Sequence, residues 1–549
     1  MAYKDIFRIL GIYLFGFSLL FLLPLTLAFY YQFFASAEDH FQPHTTYAFF
    51  LSLVTSLAAS AIFFMIGRNS KGHLFKKEAI VVVVAMWFIT PAISALPFLY
   101  SHTLSNPLQA YFEAASGLST TGITILEAKA FNNEGKEIPI EREVRGVIDT
   151  KYTYWGTVEP IRDPKTKAIL HQGIEAVSKA LLFWRGFLNW MGGLGIIVLF
   201  VAILPNLGMS GKFLFQSEMT GPWKDPHSPR IGQAAVQLLS LYAGLTLLQF
   251  VAFIAIDFNM GWFDAITTAF ATVSGGGFSV RNMGVGHYNS AGLDWTIIFF
   301  MVLSGTNFAV LYHVLKGKFY KLYQPELLIY LLLLLCGSLL GAWLLVGSEK
   351  ILLNGVKDGI FSSSEAIRYA TFQLVSTQSS VGLNNIDYDS WPYAVQAMMM
   401  IAMFIGGMSG STASGAKVIR LYLLYQVIIH KLKSLFRSDA VRRIKIGSQE
   451  VDAGTINTAL TYLLVMVLVA AIAVFVYILS GVDPETSFGL VGCMINNVGT
   501  AFRAAGPTSS CAFLSNFDLV LSSFLMIMGR LEFLVVLALL MPTFWKQSS

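Results

Sequence analysis

Hydroxyl side chains and a glycine interrupt an apolar region of the chain at 118–124 (LSTTGIT). Related glycine-centred stretches recur at 273–279 (VSGGGFS), 379–385 (SSVGLNN) and 496–502 (NNVGTAF). In so apolar a chain, backbone outside a helix is tolerated only where protein buries it or where it lines a watery cavity. Four such loops meeting on one axis would present a ring of carbonyls, which is how a protein replaces the hydration shell of an alkali cation. Glycine at the crowded point permits unusual dihedrals and close approach. The carbonyls just before and at each glycine are therefore the candidate ion ligands: Thr120, Thr121 and Gly122; Gly275, Gly276 and Gly277; Ser380, Val381 and Gly382; Asn497, Val498 and Gly499.

The elements that must position these loops form a unit that occurs four times: a long apolar helix, a short half-polar helix, a glycine loop and a second long apolar helix. The first unit has helices at 78–99, from about 107, and at 179–204. The second has 231–258, 262–274 and 291–316, the third 325–347, 362–377 and 391–430, and the fourth 455–480, 484–496 and 515–541. Each short helix is too short to cross a hydrocarbon core of about 30 Å, which predicts that it is re-entrant. Two further spans at 7–34 and 46–67 precede the units as a helix pair. The segment 7–34 lacks a small-residue cleavage site and reads as a retained transmembrane helix rather than a signal peptide. The expected organisation is thus an N-terminal pair (1–77) and units at 78–211, 212–321, 322–445 and 446–549. Fold class follows: an all-α polytopic membrane protein with four pseudo-symmetric helix–pore-loop–helix repeats around a central pore.

Composition agrees, since 55% of the 549 residues are hydrophobic, 13% are charged and mean hydropathy is +0.62, far from soluble proteins. A net charge of +5 without a large basic patch argues against a nucleic-acid partner. The basic connections 68–77, 212–230, 316–321 and 430–445 alternate with connections poor in Lys and Arg, so the positive-inside rule places both termini in the cytoplasm and opens the glycine loops to the outside. Residues 128–177 break the pattern as a polar insertion, expected outside the membrane either with β character or as an irregular loop. Cys336 reads as a small core residue, whereas Cys493 and Cys511 could pair on the outer side.

Acids near the starts of the short helices, Glu113, Asp264, Glu365 and Glu485, read as caps or as a negative outer vestibule. In 403–420 (MFIGGMSGSTASGAKVIR) a helix is interrupted by Gly406, Gly407, Gly410 and Gly415 with Ser409, Ser411, Thr412 and Ser414. Such a stretch either unwinds and plugs the pore as a gate or forms a close helix crossing. Arg530, in MIMGRLEFLVV with Glu532 nearby, is costly in an apolar helix; it either faces the pore below the filter or pairs with an acid on another helix.

The motifs FEAASGLSTTGIT (112–124), FWRGFLNWMGGLGIIVL (183–199), LFQSEMTGPWKDPHSPRI (214–231), AFATVSGGGFSVRN (269–282), FIGGMSGSTASGAKVIR (404–420) and MGRLE (528–532) resemble the Trk/Ktr/HKT superfamily of potassium transporters, and among them the bacterial Trk-type uptake subunits. The resemblance implies a four-fold pore binding potassium at the filter residues, a gating loop at 406–415 and a pore arginine at Arg530. It also implies a homodimer in the cytoplasmic membrane on a cytosolic ring of nucleotide-binding subunits, for which this chain has no Rossmann motif of its own. The segment 430–445 could dock that ring or simply face lipid. This sequence departs from the family pattern at Gly275, in SSVG, and at Ala413 and Ala416.

The expected activity is gated potassium uptake driven by membrane potential, with a proton- or sodium-coupled symporter or a less selective potassium/sodium transporter as alternatives. An enzyme would need clustered catalytic groups, and the nine His are dispersed, so no catalysis and no cofactor are expected.

Overall fold

The computed structural model describes residues 3–36, 42–70, 76–195, 231–436 and 444–546, apart from 145, 147, 148, 164, 167 and 448. The basic connection 212–230, the end of the 179–204 helix beyond 195, and parts of the basic segments 68–77 and 430–445 lie outside the described residues.

Among the described residues, six helices are long and apolar enough to cross a membrane: Tyr3–Phe33, Thr46–Ile66, Lys77–Tyr100, Ala235–Ile256, Pro325–Leu345 and Ala453–Leu479. Such segments are helical because no water is available in hydrocarbon to satisfy their backbone, so each must close its own hydrogen bonds. The protein is a mostly helical polytopic membrane protein with little strand. Its N-terminal pair packs through small residues and hydroxyls: a Cβ on Gly11 would stand 2.7 Å from the backbone nitrogen of Phe64, Ser60 Oγ donates to the Gly11 carbonyl (2.7 Å) and Ser18 and Ser56 share a 2.6 Å bond. The pair docks on the first unit at Trp184, whose ring meets that of Phe21 at 4.7 Å.

Four short helices, Pro107–Leu118, Trp262–Ser274, Ser363–Gln378 and Pro484–Asn496, lie between the long ones and end at the glycine loops. Three of the four starts are fixed by a local side-chain cap, the exception being Trp262–Ser274 with Gly261 before it. Asn106 accepts from Leu108 N with Pro107 next to it, Ser362 and Glu365 form a capping box, and Asp483 accepts from Thr486 N.

Two expected long helices are broken instead. The stretch 291–316 consists of Ala291–Ser304 and Phe308–Leu315, bent by 103°, and 515–541 consists of Asn516–Leu531 and Phe533–Leu540, bent by 115°. At the first break Asn307 accepts from Ala309 N (2.8 Å) and starts a new helix; at the second, Glu532 takes φ +65°. Averaged over its length each pair is apolar enough to read as one span, so mean hydropathy alone does not locate the bend, although polar residues stand at both breaks, Thr306 and Asn307 at the first and Arg530 and Glu532 at the second. The backbone freed at the first break is satisfied by partners distant in sequence, Phe308 N donating to Gly410 O (3.0 Å) and Met408 N to Gly305 O (2.9 Å).

Within 128–177 three short antiparallel hairpins pair Ala130–Phe131 with Glu137–Ile138, Ile140–Val144 with Thr150–Tyr154, and Ile161–Arg162 with Ile169–His171, so of the two expectations the β reading holds. Cys336 is exposed rather than in the core, because its helix Pro325–Leu345 turns that face outward, while Cys493 and Cys511 are buried free thiols.

Candidate ion-conduction site

Each short helix ends in the same turn. The residue two before the glycine is left-handed in all four: Thr120 (φ +59°), Gly275 (+72°), Ser380 (+56°) and Asn497 (+49°). The next residue donates its N–H five residues back: Thr121 to Ser116 O (2.9 Å), Gly276 to Ala271 O (2.8 Å), Val381 to Ser376 O (2.9 Å) and Val498 to Cys493 O (3.0 Å). Three non-glycine residues in a sparsely populated region, each costing roughly 1–3 kcal/mol, persist only where the surroundings fix them.

The loops meet in a closed circuit. A Cβ on Gly122 would collide with the carbonyl oxygen of Gly276, on Gly277 with that of Val381, on Gly382 with the nitrogen of Gly499, and on Gly499 with the carbonyl oxygen of Thr121 at 2.9 Å. First touches second, second third, third fourth, and fourth first. Gly122, Gly277 and Gly382 also have positive φ (+78°, +69° and +74°), so side chains there are excluded by conformation as well as by space. All four glycines line one cavity of about 600 Å³.

Cross-braces differ between loops. Ser116 Oγ donates to Ile123 O (2.6 Å) and Ser376 Oγ to Leu383 O (2.9 Å), whereas the second and fourth loops have Ala271 and Cys493 at that position. Asn497 Nδ2 bonds both Thr121 Oγ1 and Met526 O at 2.9 Å, tying the fourth loop to the first.

The four acids do not form a free negative vestibule. Glu113 lies inside its helix, which begins at Pro107, and is completely buried against Arg185 (2.7 Å) while accepting from Ile125 N (2.9 Å). Asp264 pairs with Arg281 (2.8 Å), Glu365 with Lys350 (2.6 Å) and Glu485 with Arg503. Glu365 alone combines an ion pair with the expected capping. Desolvation of a carboxylate near a membrane is costly unless a cation compensates, and each acid has found one. Lys350 and Ser362 hold the Glu365 carboxyl down to about 2. Arg185 also donates to Ser279 O (3.2 Å) and covers the Phe278 ring at 4.1 Å, locking the first unit onto the second. The signal for Arg185 was the one that marks Arg530, a lone arginine in an apolar helix.

The cavity at the four glycines is walled in part by the insertion, through Lys129, Phe131 and Arg162 among others. The insertion is fastened on two sides: Tyr152 donates to Asp483 (2.6 Å) and Arg142 to Thr508 (3.2 Å) in the fourth unit, while Asn282 of the second unit bonds Ile174 N (2.9 Å) and Gln172 O (2.8 Å).

Residues 406–417 separate the helices Tyr393–Ile405 and Val418–Phe436. This stretch is unwound, as the gate reading requires, with Gly406, Gly410 and Gly415 at positive φ. It runs along the inner ends of the short helices: Thr412 Oγ1 donates to Val273 O (3.2 Å) or Ser304 O (3.1 Å), and Ser414 N to Ser380 Oγ (2.9 Å). Arg530 reaches it from the fourth unit, Nη1 bonding Thr412 O (2.9 Å) and Ser414 Oγ (3.4 Å), and Nη2 the carbonyls of Gly192 (2.6 Å) and Gly193 (2.8 Å). Glu532 pairs instead with Arg420 (2.5 Å). Further ties escaped sequence reasoning because they join distant segments: Glu326 accepts from Ser409 N (2.6 Å) and Asn307 Nδ2 donates to Ser409 O (2.7 Å). A second cavity of about 120 Å³, lined by Ser411–Ser414 residues, Gly529 and Arg530, lies along this loop.

Residues 164–546 match the TrkH family, described as cation transport protein. Relatives named Trk system potassium uptake protein TrkH are similar over the whole of both chains, at 30% identity in Salmonella typhimurium and 28% in Halomonas elongata. The crystal structure of the potassium transporter TrkH from Vibrio parahaemolyticus has the same fold, with a TM-score of 0.77 and 27% identity over all of both chains. With a family match covering more than half of its length, this chain belongs to the TrkH family of cation transport proteins and is a membrane transporter rather than an enzyme.

Proposed function

We propose that this protein takes up potassium through a pore whose filter is the circuit of glycine loops at Gly122, Gly277, Gly382 and Gly499. The observation that carries the reading is that all four glycines face one cavity and each would strike the next loop if it carried a side chain. Backbone carbonyls held this closely dehydrate a monovalent cation without a charged ligand. The unwound loop 406–415 is the gate, held along the inner ends of the short helices by Arg530. Relatives named as potassium uptake proteins of a Trk system support potassium as the ion.

Membrane potential supplies the driving force, about 2.3 kcal/mol per charge per 100 mV, enough for roughly 50-fold accumulation. The protein is placed in the cytoplasmic membrane with both termini inside, as a homodimer on a cytosolic nucleotide-binding ring that biases the gate. The four units 78–211, 212–321, 322–445 and 446–549 are the quarters of the pore.

Cation flux into proteoliposomes tests this reading. Potassium and rubidium are expected to enter under an inside-negative potential in preference to sodium, and Gly122→Ser is expected to erode the preference. Equal sodium and potassium flux in the unaltered protein would refute selective uptake. Potassium flux that requires a proton or sodium gradient would refute uptake driven by potential alone.

A further inference from the structure

Loop two is the least braced of the four. It reads Gly275-Gly276-Gly277, has Ala271 where the first and third loops have a bracing serine, and offers no side chain of its own to hold its strand. The space behind it is filled from another unit. A Cβ on Gly276 would stand 2.5 Å from Cγ, 2.6 Å from Nδ2 and 2.7 Å from Cβ of Asn189, on the helix Lys179–Leu194. The carbonyl of the same Gly276 is the group that a side chain on Gly122 would strike. Asn189 and the first loop therefore grip Gly276 from two sides.

Asn189 is completely buried, and neither Oδ1 nor Nδ2 has a hydrogen-bond partner among the described residues. An amide in that state costs stability, since burying an unsatisfied polar group is unfavourable where an apolar side chain of the same shape would be nearly neutral or better. A residue that breaks this rule marks a functional site where stability is given up.

We infer that Asn189 is a positioning residue for ion selectivity, its amide group packed behind Gly276 and setting where the strand of the second loop lies. The inference rests on reading the four glycine loops as the filter. It separates volume from polarity: leucine at 189 keeps the bulk behind Gly276 and removes the unsatisfied amide.

The test compares Asn189→Leu, Gly276→Ala, the double variant Asn189→Gly/Gly276→Ala, and Gly122→Ser in proteoliposomes, reading potassium and sodium flux together with thermal unfolding in detergent. Asn189→Leu is expected to unfold at the same temperature or higher, yet to lose several-fold in the potassium-to-sodium flux ratio. Gly276→Ala alone is expected to abolish most flux, and the double variant to recover part of it, because glycine at 189 removes the Cβ as well as the amide from the space that the new methyl needs. An unchanged flux ratio in folded Asn189→Leu, or destabilisation with flux lost in proportion, would overturn the inference. If Asn189→Leu does not fold, failure of the double variant to recover flux overturns it. A ratio unmoved by Gly122→Ser would remove the filter reading and this inference with it. A ratio moved by Gly122→Ser but not by Asn189→Leu would remove only the inference.

Discussion

The glycine loops and the stretch 406–417, proposed above as the gating loop, are both unwound backbone inside an apolar bundle, but they are secured in opposite ways. The glycine loops close on one another backbone to backbone, with the same left-handed turn four times and no room for a Cβ at the contact points. The gating loop occurs once. Side chains from the second, third and fourth units hold it, through Asn307, Glu326 and Arg530, by hydrogen bonds to its carbonyls, amides and hydroxyls. Steric closure is either intact or lost, whereas a set of hydrogen bonds worth about 0.5–3 kcal/mol each can be exchanged for another set. The first kind of support suits a filter whose geometry must not vary, and the second suits an element that moves.

The largest effect is expected where closure is broken. Gly277→Ala should reduce potassium flux by about tenfold or more, the size that roughly 1–3 kcal/mol of strain produces, whereas Gly244→Ala, in open space on a long helix, should leave it unchanged. Equal tolerance at both positions would break the distinction between the two regions. Next comes Arg530→Ala, which removes bonds to Thr412, Ser414, Gly192 and Gly193 at once. Basal flux without any cytosolic partner should rise several-fold in folded protein, and a fall would show that Arg530 holds the pore together rather than closed. Glu326→Gln keeps the shape but weakens a charge-assisted bond to Ser409, so its basal flux should rise by a smaller factor, on the order of twofold to fivefold. A Glu326→Gln effect as large as that of Arg530→Ala would mean that the loop has a single latch rather than several.

The smallest expected effect lies outside both regions, at Lys350–Glu365. A carboxyl held at about 2 against an ordinary 4.5 contributes stability above pH 4.5 and loses it as pH falls toward 2. The unfolding temperature in detergent should therefore fall through that window, by a few degrees at most for a partly exposed pair. Lys350→Ala should flatten the dependence, and an unchanged slope would assign it to other carboxyls.

Much of the architecture was legible. Long apolar runs report a hydrocarbon environment directly, and glycines recurring at the ends of short half-polar helices report a crowded, unwound backbone. The four acids show the limit. Sequence reasoning placed all of them near helix starts, yet Glu113 is buried inside its helix against Arg185, 72 residues away. No local pattern announces such a partner. The breaks at 305–307 and Glu532 were missed as well, since the average hydropathy of each stretch outweighed the polar residues that stand at its turn.

The sequence by itself determined that the chain crosses a membrane repeatedly and that four glycine-centred stretches interrupt it, because each property depends on residues adjacent in the chain; for 406–415 it left an unwound loop and a close helix crossing both open, and the structure unwinds it. Only the tertiary structure decided what those features touch. It closed the glycines into a circuit, paired the acids, set Arg530 on the gating loop and put Asn189 behind Gly276. Contacts of this kind join residues up to several hundred positions apart, and their energies arise only once the bundle has brought them together.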